Sequence, residues 1–87
     1  MTDDVVEGIR AEISAVDREI VRLVNERLRL VTRLKRHKDA HGIAFVDPER
    51  ERRIAEDRIR ENDGPLSEDG LRTFYAALLA LTKRELA

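Results

Sequence analysis

Residues 4–40 read DVVEGIRAEISAVDREIVRLVNERLRLVTRLKRHKDA, a run with no proline in it. Within it Ile9, Ile13, Val16, Ile20, Leu23, Arg27, Leu30 and Leu34 recur at intervals of 4, 3, 4, 3, 4, 3 and 4. That alternation is a heptad seam of the coiled-coil kind, and the positions between its members are mostly charged, as a solvated face should be. The pattern predicts one helix from about Asp4 to about Ala40. Asp3 and Asp4 suit the positive end of its dipole, and Lys35, Arg36 and Lys38 suit the negative end. Gly42 follows as a left-handed cap.

Such a helix is too long for its own globule. Thirty-odd residues at ~1.5 Å each span roughly 50 Å, whereas a compact monomer of this size is roughly 30 Å across. The expectation is an all-α, three-helix protomer with one long N-terminal helix, intertwined with a second copy as a six-helix homodimer. The other two helices announce themselves by their caps. Asp47 is an N-cap, Pro48 takes the first helical position, and Glu49 and Glu51 load the first turn, which predicts a helix to about Glu61. Asn62-Asp63-Gly64-Pro65 forms a turn. Ser67 then caps a third helix carrying Leu71, Phe74, Tyr75, Leu78, Leu79, Leu81 and Thr82, with Phe74 and Tyr75 read as core residues.

The 87 residues hold 17 Lys and Arg against 18 Asp and Glu, for a net charge of -1. One domain over 1–87 is expected. The charge balance argues against a protein that coats nucleic acid, and the scarcity of aromatics argues against base stacking. The chain has no cysteine, which excludes disulfides, thiolate zinc sites and a Cys nucleophile. No apolar run reaches the ~20 residues of a membrane span. No membrane association is expected, and the cytoplasm is the expected compartment.

Polar residues interrupt the faces that should pack. Arg27 sits in the seam between Leu23 and Leu30, and Lys38 continues the seam one step past Leu34. Six basic residues and no acidic one lie between Arg27 and Lys38 inclusive. On the second helix Asp47, Arg50, Glu51 and Ile54 share a face at i, i+3, i+4 and i+7, and Thr82 sits among the apolar residues of the third. Taken singly, Arg27 as a snorkelling side chain and Asp47, Glu49 and Glu51 as capping charges are adequate accounts. Taken together, three cations and a carboxylate facing one core describe a ligand site inside a helical bundle. The implied ligand is a small dianion, because Arg forks match carboxylates bidentately. His37 and His41 stand at i, i+4 with no third ligand nearby, so a surface role is expected and no metal or cofactor.

The order Ile9-Arg10-x-x-Ile13-x-x-x-Asp17, Glu26-Arg27, Lys38, Asp47-Pro48-x-Arg50-Glu51-Arg52 resembles the all-helical chorismate mutases over nearly the whole chain. The resemblance implies rearrangement of chorismate to prephenate, on the route to phenylalanine and tyrosine, by an intertwined dimer with two sites. It implies that Arg10 reaches a substrate carboxylate across from the partner subunit, while Arg27 and Arg50 hold carboxylates within the chain. Lys38 would donate to the ether oxygen and a carboxylate. Glu51 and the backbone at Asp47 would hold the ring hydroxyl, Thr82 would touch a carboxylate, and Leu34 and Leu79 would form apolar walls. Lys38, Arg50 and Glu51 are the expected catalytic residues.

One position departs from the pattern. Family members usually carry a Gln four residues after the Ser or Thr, as a second donor to the ether oxygen; here that position is Leu86, one residue from the end. The departure implies heavier reliance on Lys38, a reorganised last turn, or an activating partner, namely the enzyme that opens the aromatic pathway. Isochorismate-pyruvate lyases and aminodeoxychorismate mutases resemble the pattern too, and Glu51, suited to a ring hydroxyl, tells against both. A non-enzymatic helical interaction module would explain the heptads and leave the buried charges unexplained.

Overall fold

The computed structural model describes residues 3–87. Three helices follow in order, α1 over Asp4–Ala40, α2 over Pro48–Glu61 and α3 over Glu68–Glu85, with no strand among the described residues. The chain divides into two units, one ending at Arg33 and the other spanning Leu34–Ala87.

The first unit is the N-terminal stretch of α1. Asp3 starts it as a cap: its Oδ1 accepts from the backbone N–H groups of Val5 at 2.9 Å and Val6 at 3.3 Å. Charged residues pair along its wet face. Arg22 bonds Glu19 and, at 3.2 Å, Glu26, and the hydrogen bond from Arg22 holds the Glu19 carboxyl below its ordinary range. The heptad seam is exposed on the single chain. Ile9, Ile13, Val16, Ile20, Leu23 and Leu30 are all exposed, at 47–59%. The part-shielded residues are instead Val24, Arg27, Leu28, Val31 and Thr32. That stripe is centred roughly 100° round the helix from the seam at 3.6 residues per turn. This stretch of α1 therefore presents two apolar faces, with Arg27 on the border between them. A heptad count follows a single stripe and merges the two.

The second unit begins in the last turns of α1. The helix stops in a Schellman motif, with Ile43 N–H donating to Lys38 O at 2.8 Å and Gly42 N–H to Asp39 O at 3.5 Å. Gly42 has φ of 65°, the left-handed conformation that this motif demands of its C′ residue. The N-cap of α2 is Asp47, whose Oδ1 accepts from Arg50 N–H at 3.1 Å, with Pro48 in the first turn. The cap of α3 is Ser67, whose Oγ accepts from Gly70 N–H at 3.0 Å. Gly70 has a steric reason as well, since a Cβ there would lie 2.8 Å from Leu66 Cδ1.

Helices α2 and α3 pack against each other. Two ion pairs cross between them, Glu51–Lys83 at 3.0 Å and Glu56–Arg72 at 2.9 Å. As the α2 number rises the α3 number falls, so the pair runs antiparallel. Ile54, Ala55 and Ile59 of α2 and Leu71, Tyr75, Leu78 and Leu79 of α3 are part-shielded. Phe74, expected in the core, is 51% exposed on the single chain, lying off the arc of Leu71, Tyr75, Leu78 and Leu79 that α3 turns toward α2. Among the described residues no hydrophobic side chain is fully buried, and the one buried residue is Thr82, at 5% exposure. No helix among them is long and apolar enough to cross a membrane.

Candidate active site

The expected polar site residues of the second unit all fall at helix ends. Lys38 lies in the last turn of α1, Glu51 with Asp47 and Arg50 at the first turn of α2, and Thr82 in the last turn of α3. Each end is fixed by a local device. The Schellman motif occupies the carbonyl of Lys38, while its side chain crosses the turn and donates from Nζ to Phe45 O at 3.3 Å. Lys38 is thereby tied to the segment that leads into Asp47, and it is part-shielded. An ammonium has three donors, so this bond leaves capacity for a ligand oxygen.

Asp47 has two structural duties. Its carboxylate caps α2 through Arg50 N–H, and its carbonyl accepts from Glu51 N–H at 3.0 Å. The backbone positions of Arg50 and Glu51 are therefore set by one residue. The Arg50 side chain is exposed to solvent. Glu51 faces α3, with its side chain 28% exposed, and meets the Lys83 ammonium at 3.0 and 3.2 Å from its two oxygens. Beside this pair a groove of about 300 Å³ opens between α2 and α3, lined among others by Pro48, Glu51, Ala55, Tyr75 and Leu79. Thr82 is the most enclosed residue described, and its hydroxyl donates to Leu78 O at 2.7 Å. Leu86, one turn beyond Thr82, is the C-cap of α3 and is part-shielded, its N–H donating to Thr82 O at 3.1 Å. The side chain there brings no donor.

The remaining two expected residues belong to the first unit. Arg10 is exposed, with 71% of its side chain accessible, and pairs with Glu7 at 3.3 Å. Arg27 is part-shielded. Of the two expected apolar walls, Leu79 lines the α2–α3 groove and Leu34 is 45% exposed. His37 and His41 stack at 4.2 Å between ring centroids, both exposed. No group of three or more His, Cys, Asp or Glu among the described residues is placed to hold a metal ion.

Lys83, which contacts Glu51, and the Phe45 carbonyl, which contacts Lys38, were given no role in the sequence reading. A signal for Lys83 existed: it follows Thr82 directly, and its sign is opposite to that of Glu51. Nothing in the sequence marks the Phe45 carbonyl, because every residue there has one.

Comparison with known proteins bears on the whole of this arrangement. Residues 9–85 match the family model described as chorismate mutase type II. The chain is 34% identical over 76 residues to the T-protein of Haemophilus influenzae, covering 82% of this chain and 20% of that protein. It is 36% identical over 84 residues to the bifunctional chorismate mutase/prephenate dehydratase of Aquifex aeolicus, covering 87% of this chain and 23% of that protein. The chain thus spans about a fifth of the length of these two curated relatives. Among solved structures, form I of the chorismate mutase from Thermus thermophilus superposes with a TM-score of 0.88 at 30% identity, covering 91% of this chain and 99% of that one. Form II gives 0.90 at 30% identity, covering 93% and 92%. With a family match over nearly its full length and solved members that superpose on it, this chain belongs to the chorismate mutase type II family.

Proposed function

We propose that this chain converts chorismate to prephenate, as a single domain over residues 1–87 acting in the cytoplasm in the synthesis of phenylalanine and tyrosine. Family membership over residues 9–85 is the observation that carries the reading, and the helix-end constellation of Lys38, Asp47, Arg50, Glu51 and Thr82 supports it.

The reaction breaks one carbon–oxygen bond as one carbon–carbon bond forms. It uses no nucleophile and no proton transfer, so two tasks fall to the protein. The first is to hold a flexible dianion in the reactive chair, where restraint of conformation alone can lower a barrier substantially. Arg27 and Arg50 take substrate carboxylates, Thr82 donates to one of them once its hydroxyl turns from Leu78 O, and Arg10 of the partner subunit completes the clamp. The second task is to meet negative charge as it grows on the ether oxygen. Lys38 does this with the donors not spent on Phe45 O. Such a donor aimed at developing charge is typically worth ~3–4 kcal/mol of barrier. Glu51 and the Asp47 backbone accept and orient the ring hydroxyl, and Leu34 and Leu79 wall the ring.

The reading includes a homodimer. Its support is the half-exposed seam Ile9, Ile13, Val16, Ile20, Leu23, Leu30 and Leu34, in a chain whose described residues include no fully buried hydrophobic side chain. A second copy, bringing the same seam, is the occupant whose apolar register matches. The reading also includes an activating partner, the enzyme that opens the aromatic pathway, whose docking would complete the donor set that Leu86 leaves short.

The test is to incubate purified protein with chorismate and identify the product by NMR. Prephenate is expected. Pyruvate release would assign a lyase instead, and no turnover by the folded dimer, alone or with the pathway enzyme, would overturn the proposal.

A further inference from the structure

The chemistry proposed above leaves Lys83 without a task, yet its ammonium sits on both oxygens of Glu51, 3.0 Å from Oε1 and 3.2 Å from Oε2. The pair joins α3 to α2 across 32 residues of sequence. Glu51 is 28% exposed and lines the α2–α3 groove, while Lys83 adjoins Thr82, the most enclosed residue described. The carboxylate that orients the substrate ring therefore already carries a cation.

Resting on the chorismate reading, we propose that Lys83 is a specificity-determining residue: it makes the site select a neutral hydroxyl over an ammonium at the ring position that Glu51 holds. A carboxylate offers about four lone-pair sites, and one ammonium against it leaves others open. A hydroxyl needs one acceptor and no net charge, so Glu51 serves it as well with Lys83 present as without. An ammonium gains most from a carboxylate that is otherwise unpaired, through a charge-assisted hydrogen bond. With Lys83 in place, two cations would have to share one carboxylate within a few ångströms, in a partly shielded groove where like charges repel more strongly than in water. The same lysine holds Glu51 in one orientation through both carboxylate oxygens, which favours the hydroxyl substrate.

The experiment compares chorismate with 4-amino-4-deoxychorismate on the full-length chain, as wild type, Lys83→Met, Lys83→Gln and Lys83→Arg. The expected result is a wild-type preference for chorismate in kcat/KM. In Lys83→Met and Lys83→Gln the ratio moves toward the amino compound by ~tenfold or more, chiefly through its KM. Lys83→Arg keeps the wild-type ratio. Helical content and oligomeric mass verify folding in each variant, and the two neutral variants guard against one of them failing to fold. An unchanged ratio in both folded neutral variants overturns the proposal. If the wild type turns over neither compound, the parent reading fails; calorimetric Kd values for the same two ligands then give the ratio, and an unchanged binding ratio again overturns the role of Lys83.

Discussion

Replacing Ile13 by Asp separates a dimeric chain from a monomeric one. Ile13 is the second member of the seam, with 54% of its surface exposed on the single chain. If that surface faces water in solution, Ile13→Asp is an exposed helical substitution, worth within about ±0.5 kcal/mol. If a second copy covers it, two losses follow. The first is the burial of the still exposed half of an isoleucine, roughly 1 kcal/mol when full burial is worth about 1.5–3 kcal/mol. The second is the placing of a carboxylate in an apolar contact, which costs several kcal/mol per ion even after relaxation. Symmetry imposes both losses twice per dimer, so the dissociation constant should rise by roughly a thousandfold or more, at ~1.4 kcal/mol per factor of ten. Sedimentation equilibrium of wild type and variant at micromolar concentration measures this, with circular dichroism recorded alongside. Wild type is expected at twice the chain mass. The variant is expected to dissociate and to lose helix content, because its described residues hold no fully buried hydrophobic side chain to fall back on. A variant with unchanged mass and unchanged melting would refute the reasoning, as would a folded monomeric wild type.

Three further outcomes are expected. Lys38→Ala should lose turnover by at least a hundredfold while the helical dimer remains, for loss of a donor to the developing charge costs ~3–4 kcal/mol; an unchanged rate moves the donor role to another residue. Leu86→Gln should raise turnover by roughly ten- to a hundredfold with little change in KM, since a hydrogen bond to an ionising oxygen is worth ~1.5–3 kcal/mol and the charge exists only in the transition state; no gain in steady-state assays would show that the last turn of α3 lies away from the ether oxygen. The Glu56 carboxyl is held below its ordinary value of 4.5, first by the hydrogen bond from Arg72. Because the folded value is depressed, the stability this pair gives is complete above about pH 4.5 and is lost as pH falls through the folded value. Arg72→Met should therefore flatten the acid limb of the stability curve, read by urea melts from pH 7 to 3.

The three helix boundaries were legible because each is set by a device contained within a few residues. Asp47-Pro48, Ser67 and Gly42 act on backbone groups three or four positions away, and the structure places all three in those roles. Lys83 was not legible as a partner of Glu51, since that pair depends on how α3 lies against α2. The exposure of Phe74 on the single chain was hidden for the same reason: hydrophobicity alone does not say which arc of α3 turns toward α2. The seam of α1 was legible as a pattern, yet the stripe Val24, Leu28 and Val31 was hidden, because two apolar faces on one helix look like one broad face in a heptad count. Of the candidate site, the motif gave residue types and order. The contact between Lys38 and Phe45 O and the double duty of Asp47 emerge only when the turn between α1 and α2 is folded.

Every polar second-unit residue assigned to the site stands in, or caps, the first or last turn of a helix. Terminal turns are where helices fray, and they open at lower free energy than the middles. Warming should therefore blunt catalysis before it melts the fold, with inactivation running ahead of the loss of ellipticity. A bound dianion would work in the opposite sense, tying three helix ends to one another. Amide exchange around Lys38, Arg50 and Thr82 should then slow on ligand binding far more than exchange at the centre of any helix.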